Sequence, residues 1–199
     1  MLQEVRALPE QLPKTWEIPN DMEIIWHPAK RKGYSGVATM SRYEIDLDGR
    51  GISTEIDPND SEGRVLRTRI NGCLFINTYL PSGSSGRQIM KEKWMEDFSQ
   101  FVRQYLNSEE PVYIAGDLNI AHTEDDIHNP SGNKNTSGFL PQERNWFSKL
   151  LAEGWHDLFR EHRGSGKGPY SWWSNRGRAR ELDRGWRIDY ILSNESGAK

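Results

Sequence analysis

The chain has 199 residues, 35% of them hydrophobic, and a formal net charge of −3. That length suits one domain over 1–199 with a sizeable core, and the charge argues against indiscriminate coating of nucleic acid while leaving room for a local basic patch. No apolar run is long enough to span a membrane, MLQEVRALPEQLP carries charges where a secretion signal needs an apolar stretch, and the single cysteine, Cys73, excludes an internal disulfide and fits a reducing, cytoplasmic interior.

Residues 33–40 (GYSGVATM) and 72–80 (GCLFINTYL) predict strands, with Cys73 expected as a buried structural thiol. Between them, 46–64 is rich in Gly and Asp and predicts turns with one short strand. Residues 87–106 repeat Met90, Trp94, Phe98, Phe101, Val102 and Tyr105 at helical spacing, so one face of a helix is expected to be buried. A buried strand at 112–115 follows, and 123–138 reads as a long polar loop. Pro141 suits the first turn of a second helix and Gly154 its stop, with Trp146, Phe147, Leu150 and Leu151 on its inner face. Two late strands are predicted at 170–174 (YSWWS) and 187–193 (RIDYILS). Trp173 is expected in the core. Strands alternating with helices define an α/β class.

Two stretches carry chemistry. In VYIAGDLN (112–119) a strand of β-forming residues ends on Asp117 and Asn119, both costly to bury unpaired. Gly-Asp and Asn are also ordinary turn formers, but strand ends in α/β folds are where ligand and catalytic groups sit. Spacing of two places both side chains on one side of an extended segment. From Arg160 to Arg187 there are eight Lys/Arg against three acids, interleaved with Trp172, Trp173 and Trp186. A basic stretch with aromatics suits a phosphate backbone with an unstacked nucleotide nearby; a solvated face over core tryptophans is the plainer alternative.

GDLNIAH at 116–122, SGFLPQERNWF at 137–147 and YSWWSNRGRARELDRGWRIDYILS at 170–193, with LQEVR, YSGVA and NTYLPSG before them, resemble the exonuclease III/AP endonuclease family. The wider group is the metal-dependent endonuclease/exonuclease/phosphatase superfamily. The resemblance implies a four-layer α/β sandwich, two packed β-sheets flanked by helices. It also implies hydrolysis of phosphodiesters at abasic sites and 3′ ends of double-stranded DNA, with Mg²⁺ or Mn²⁺ as cofactor. A monomer is expected.

Residue by residue, the resemblance assigns Glu4, Asp117 and Asn119 to the metal. It assigns Asp117 to the attacking water, Asn119 and Tyr79 to the scissile phosphate, and Asp189 to the orientation of a catalytic histidine. Asn129 and Asn133 match backbone-contacting asparagines. Trp172, Trp186 and Ile188 match an apolar pocket for a flipped, baseless sugar, and Arg176 and Arg178 belong to the basic loop. His122 and Asp126 are expected to brace their loop rather than bind zinc. The family pattern also has a strand with an asparagine before LQE and a Ser-Asp-His block after the last strand. Because this chain reads Met1-Leu2-Gln3-Glu4 at one end and SNESGAK at the other, a fragment incomplete at both termini is expected. The alternatives are a catalytically inactive module that binds abasic DNA, and a phosphodiesterase acting on a non-DNA phosphoester.

Overall fold

The structure, a computed structural model, describes residues 1–13, 18–54 and 57–199. In chain order its strands are β1 (Leu2–Gln3), β2 (Glu23–His27), β3 (Val37–Ser41), β4 (Asp46–Arg50), β5 (Val65–Ile70), β6 (Cys73–Tyr79), β7 (Val112–Asp117), β8 (His156–Asp157), β9 (Trp172–Trp173), β10 (Gly185–Trp186) and β11 (Asp189–Ser193). The α-helices are α1 (Gln88–Arg103), α2 (Pro141–Glu153), α3 (Leu158–Arg163) and α4 (Glu195–Ala198). Among the described residues no helix is long and apolar enough to cross a membrane.

A six-stranded sheet runs β4-β5-β6-β7-β11-β8, a three-stranded sheet β1-β3-β2, and β9 pairs with β10 by themselves. Side chains alternate across each strand, and the large sheet uses both faces. Leu74 and Ile76 of β6, Val112 and Ile114 of β7, and Tyr190 and Leu192 of β11 pack with Trp94, Phe98 and Val102 of α1 and Phe147 and Leu150 of α2. The opposite face meets the small sheet. There Asn77 Nδ2 donates to the carbonyl oxygens of Ala38 at 2.9 Å and Leu2 at 3.3 Å, and Asn77 Oδ1 accepts from Gln3 Nε2 at 2.7 Å. Two packed sheets with helices on the outer face of the larger one are the layered α/β arrangement expected.

Helix ends follow local chemistry. Pro141 opens α2, where its missing N–H costs nothing, and Gly154 closes it at φ +118°, a conformation glycine adopts without penalty. Several expectations need correction. The strand placed at 33–40 begins only at Val37, because Ser35 and Gly36 take φ of +44° and +88°, incompatible with extension. The strand placed at 187–193 begins only at Asp189, and a separate short strand before it, Gly185–Trp186, pairs back on Trp172–Trp173. Cys73 is half-buried at a strand end rather than sealed in the core. Trp173 lies outside the core, its Nε1 donating to Asp183 Oδ1 at 3.1 Å.

Candidate active site

Strand register builds the centre of the site. β6 and β7 run parallel with Tyr79 opposite Asp117, and β7 and β11 run antiparallel with Asp117 opposite Asp189. Neighbouring strands lie about 5 Å apart, so the three side chains form a row across the sheet end, on the face that meets the small sheet. Gly116 makes the approach possible. A Cβ there would fall 2.0 Å from the Thr78 carbonyl oxygen and 3.2 Å from Gln3 Nε2, so no larger residue fits without separating β6 from β7.

Asn77 performs a second task from the middle of β6. By holding both Gln3 and the Leu2 carbonyl it fastens β1 to the large sheet, and Glu4 leaves that anchor with φ +54°. Its carboxylate is paired with the Arg6 guanidinium, and its charge acts on the Tyr79 hydroxyl. Left-handed φ at a residue other than glycine is strained backbone, and such strain collects where a side chain must be aimed.

Asn119 reaches the row differently from expectation. The strand stops at Asp117, and Asn119 sits at φ +50° in a turn rather than on an extended segment. Its N–H donates to Asp117 Oδ1 at 2.7 Å, and its Nδ2 donates to the Leu80 carbonyl at 2.8 Å and to Asp117 Oδ2 at 3.3 Å. GDLN is thus a turn, as its residue types suggest, and that turn directs the Asn119 carboxamide toward Asp117.

The electrostatics of the row are unusual for surface carboxylates. Burial pushes the Asp117 carboxyl up to about 7, the negative charges of Asp189 and Glu4 add to the rise, and the Asn119 N–H and Lys91 oppose it. Burial also raises Asp189. Tyr79 is raised well above the ordinary phenol by burial and by the charges of Glu4 and Asp117, so it stays a hydrogen-bond donor at neutral pH. Carboxylates held up in this way are short of positive charge. Among the described residues no three His, Cys, Asp or Glu side chains close tightly enough to wrap an ion by themselves. Mg²⁺ does not require that. It takes hard oxygen ligands and keeps several waters, so one or two carboxylates suffice, and the oxygens of Glu4, Asp117 and Asn119 fit it.

The tryptophans behave less simply. Trp172 and Trp186 meet edge to face, ring centroids 6.4 Å apart and 89° between planes, so they touch rather than face one another across a slot. Trp186 packs on Ala121, Ile127 and Phe139. Ile188 is buried, and its carbonyl accepts from the Leu118 N–H at 2.9 Å. A cavity of about 490 Å³ opens beside Trp172, Trp173, Arg178 and Arg180, within the basic loop; Trp186 and Ile188 stand outside its wall. Arg176 and Arg178 are exposed, and Arg178 Nε donates to Glu181 at 2.7 Å. Asn133 Nδ2 donates to the Asn129 carbonyl at 2.7 Å, in a loop tied to β10 by the His128 N–H on the Gly185 carbonyl at 2.9 Å.

Other residues of the site were not singled out from the sequence. Arg64, 3% exposed, donates to the Tyr79 carbonyl at 2.9 Å with its guanidinium 4.9 Å from the Tyr79 ring centroid, and shares the Tyr34 hydroxyl with Arg87. Lys91 lies fully buried beneath Asn119. Asn77 and Lys91 had visible signals. Asn77 interrupts an apolar strand, and Lys91 occupies the stripe of α1 shared by Trp94, Met95, Phe98 and Val102.

Packed sheets with an acidic row at the ends of their central strands define a class of α/β protein whose site forms between the sheets. The sequence profile of the Endonuclease/Exonuclease/phosphatase family matches residues 1–199. The chain belongs to that family. It is 38% identical over 180 residues to an exodeoxyribonuclease of Bacillus subtilis, covering 89% of this chain and 70% of the relative. It is 34% identical over 195 residues to a DNA-(apurinic or apyrimidinic site) endonuclease of Dictyostelium discoideum, covering 96% of this chain and 53% of the relative. The chain therefore spans between about half and 70% of these relatives' lengths. Among solved structures, an AP endonuclease from Archaeoglobus fulgidus superposes with TM-score 0.79 at 26% identity, over 96% of this chain and 74% of that one. A 3′ phosphatase from Neisseria bound to a product DNA hairpin superposes with TM-score 0.84 at 27% identity, over 98% and 76%.

Proposed function

We propose that the chain is a metal-dependent DNA repair nuclease that hydrolyses phosphodiesters at abasic sites and at 3′ ends. The observation that carries the reading is the row of Tyr79, Asp117 and Asp189, with Glu4 and Asn119 beside it. A phosphodiester needs an oriented water and fixed charge and donors on its oxygens. Asp117 takes the proton of the attacking water on Oδ2, which carries only a long 3.3 Å contact from Asn119 Nδ2, whereas Oδ1 is held by the Asn119 N–H at 2.7 Å. The Tyr79 hydroxyl donates to the phosphate, and Asn119 positions it. Asp189 adds negative charge beside Asp117, and in the family pattern would orient a histidine. Mg²⁺ or Mn²⁺, held by Glu4, Asp117 and Asn119, would supply positive charge to the phosphate and leaving oxygens.

The same reading makes the partner double-stranded DNA, bound by a monomer in the cytoplasm. Arg176 and Arg178 contact its phosphates, Asn129 and Asn133 its backbone, and Trp172, Trp186 and Ile188 the baseless sugar. The edge-to-face contact of the tryptophans means that the sugar must displace the ring of Trp172, which is 46% exposed. The deciding experiment is cleavage of a duplex carrying one tetrahydrofuran abasic analogue, with Mg²⁺ or with a chelator. Cleavage 5′ to the analogue only with Mg²⁺ supports the reading. Tight binding without cleavage under either condition overturns it in favour of a binding module.

Pocket and basic loop separate in a salt series. Trp186→Ala is expected to cut the abasic-to-intact binding ratio roughly tenfold, as lost apolar shape recognition does. Arg178→Ala is expected to weaken both DNAs alike and reduce the slope of log affinity against log salt by about 1. An unchanged ratio in Trp186→Ala with a collapsed ratio in Arg178→Ala would make the loop the reader and Trp186 ordinary packing.

A further inference from the structure

Lys91 and Glu143 form an ion pair that the chemistry described so far does not use. Both side chains are fully buried, with Lys91 Nζ 2.6 Å from Glu143 Oε1. Removing two charges from water costs several kcal/mol per ion, and apolar residues of similar volume often stabilise a fold as well or better. What the pair holds is therefore informative. Lys91 Nζ also donates to the Asn119 carbonyl at 2.8 Å. Glu143 Oε2 accepts from the Gly138 N–H at 2.7 Å and the Leu140 N–H at 2.9 Å. One ion pair thus grips two backbone segments: the turn that aims Asn119 at Asp117, and the segment at Gly138 on which Trp186 rests.

Those two segments also touch each other. The Ala121 N–H donates to the Gly138 carbonyl at 2.7 Å, and a Cβ on Gly138 would lie 3.0 Å from the Asn119 carbonyl oxygen and 3.3 Å from the Trp186 ring. Asn119 holds a left-handed φ of +50°, which asparagine tolerates but must be held to. An apolar pair could fill the same space, but would leave the Asn119 carbonyl and the Gly138 and Leu140 N–H groups without these partners.

We infer that Lys91 and Glu143 are positioning residues, locking the Asn119 turn and the Gly138 segment into one rigid unit so that the phosphate end and the pocket end of the site keep a fixed separation. The inference rests on the proposed function for its kinetic consequence and on geometry alone for its structural one. Displacement of a catalytic group by about 1 Å costs on the order of 100-fold in rate, so loosening this unit acts on turnover more than on binding, which the exposed arginines carry.

Lys91→Met alone would strand the Glu143 charge and risks unfolding. The test is therefore Lys91→Met/Glu143→Gln, whose amide oxygen still accepts from Gly138 and Leu140, compared with Lys91→Arg, which keeps a charged donor. Two readouts are taken on the full chain: kcat and KM on abasic duplex with Mg²⁺, and amide hydrogen exchange without DNA. In the double variant kcat is expected to fall roughly 10- to 100-fold with KM changed less than about threefold. The Asn119 and Ala121 amides should exchange about tenfold faster or more, with those of Ile76 and Ile114 unchanged. Lys91→Arg should recover part of both. Unchanged exchange at Asn119 and Ala121, or equal acceleration at Ile76 and Ile114, overturns the inference. A wild-type chain that does not cleave sinks the proposed nuclease while the exchange arm still decides the positioning role.

Discussion

Asp117→Asn is expected to lower cleavage of abasic duplex by about 10²–10⁴-fold and, in the same protein freed of metal with a chelator, to raise its stability at pH 8. The two effects share one cause. A carboxyl pushed up to about 7 in the folded protein titrates near 3.9 when the chain unfolds. Between those values the folded state keeps a proton that the unfolded state has lost, so stability falls as pH rises from about 4 to about 7 and is flat above. Above pH 7 the ionised carboxylate sits in the site against Asp189 and Glu4 at a cost of roughly 1–3 kcal/mol, discounted for the access of water to a half-buried group. Asparagine removes the charge and keeps the shape.

Thermal melts of both proteins from pH 4 to pH 8 without metal check this. The wild type should lose stability over that interval and the variant should lose less, so that the curves separate with rising pH. Millimolar Mg²⁺ at pH 8 should then raise the melting temperature of the wild type more than that of the variant, because an ion binding only the folded state stabilises it by mass action. A variant no more stable than wild type at pH 8 would mean that Asp117 carries no strained charge. An equal Mg²⁺ shift in both would remove it from the ion's ligands.

Arg187→Met is expected to cost about 3–5 kcal/mol, the range for stranding a buried charge. Arg187 is 4% exposed and sits between two acids. Its Nε donates to Asp126 Oδ1 at 2.7 Å and its Nη2 to Asp157 Oδ2 at 2.7 Å, with the guanidinium 4.3 Å from the Tyr190 ring centroid. Asp126 is fully buried and also accepts from the Thr123 N–H and hydroxyl, each at 2.9 Å. Removing the guanidinium leaves the buried Asp157 carboxylate without its cation and Asp126 with Arg160 alone, and loosens the loop after Thr123 together with β8. For a chain of this size the melting temperature should drop by roughly 10 °C. Arg187→Lys should recover little, since an ammonium cannot reproduce the planar fork on both acids. A fall of under about 2 °C in Arg187→Met would show that water reaches both carboxylates and that the network is ornamental to folding.

This network shows how the basic stretch divides. Arg187 and Arg160 are spent on Asp126, while Arg176 and Arg178 face solvent in the loop before β10. Counting charges along 160–187 treats all eight cations alike, and burial separates those that hold the loop from those at the surface, where Arg178 is paired only with the exposed Glu181. The expectation that Asp126 braces its loop follows the geometry. His122 does so too, through its N–H on the Tyr190 hydroxyl at 3.1 Å and its Nε2 on Ser148 at 2.8 Å.

The sequence by itself determined what depends on neighbours along the chain. Helix α1 is legible because its apolar residues recur every three to four positions, and α2 because proline and glycine mark its ends by backbone chemistry alone. The strand running into Gly116-Asp117 is legible for the same reason, and the residues of the site were named through family resemblance. The tertiary structure decided what depends on pairing between distant segments. The register that sets Tyr79 and Asp189 on either side of Asp117 comes from three strands separated by more than thirty residues each, and no local pattern specifies it. The left-handed turn at Asn119 is held by Lys91 from α1, and the position of Glu4 by Asn77 from β6. Charge and hydrogen-bond energies depend on distance and burial, and those quantities exist only once the chain has closed on itself.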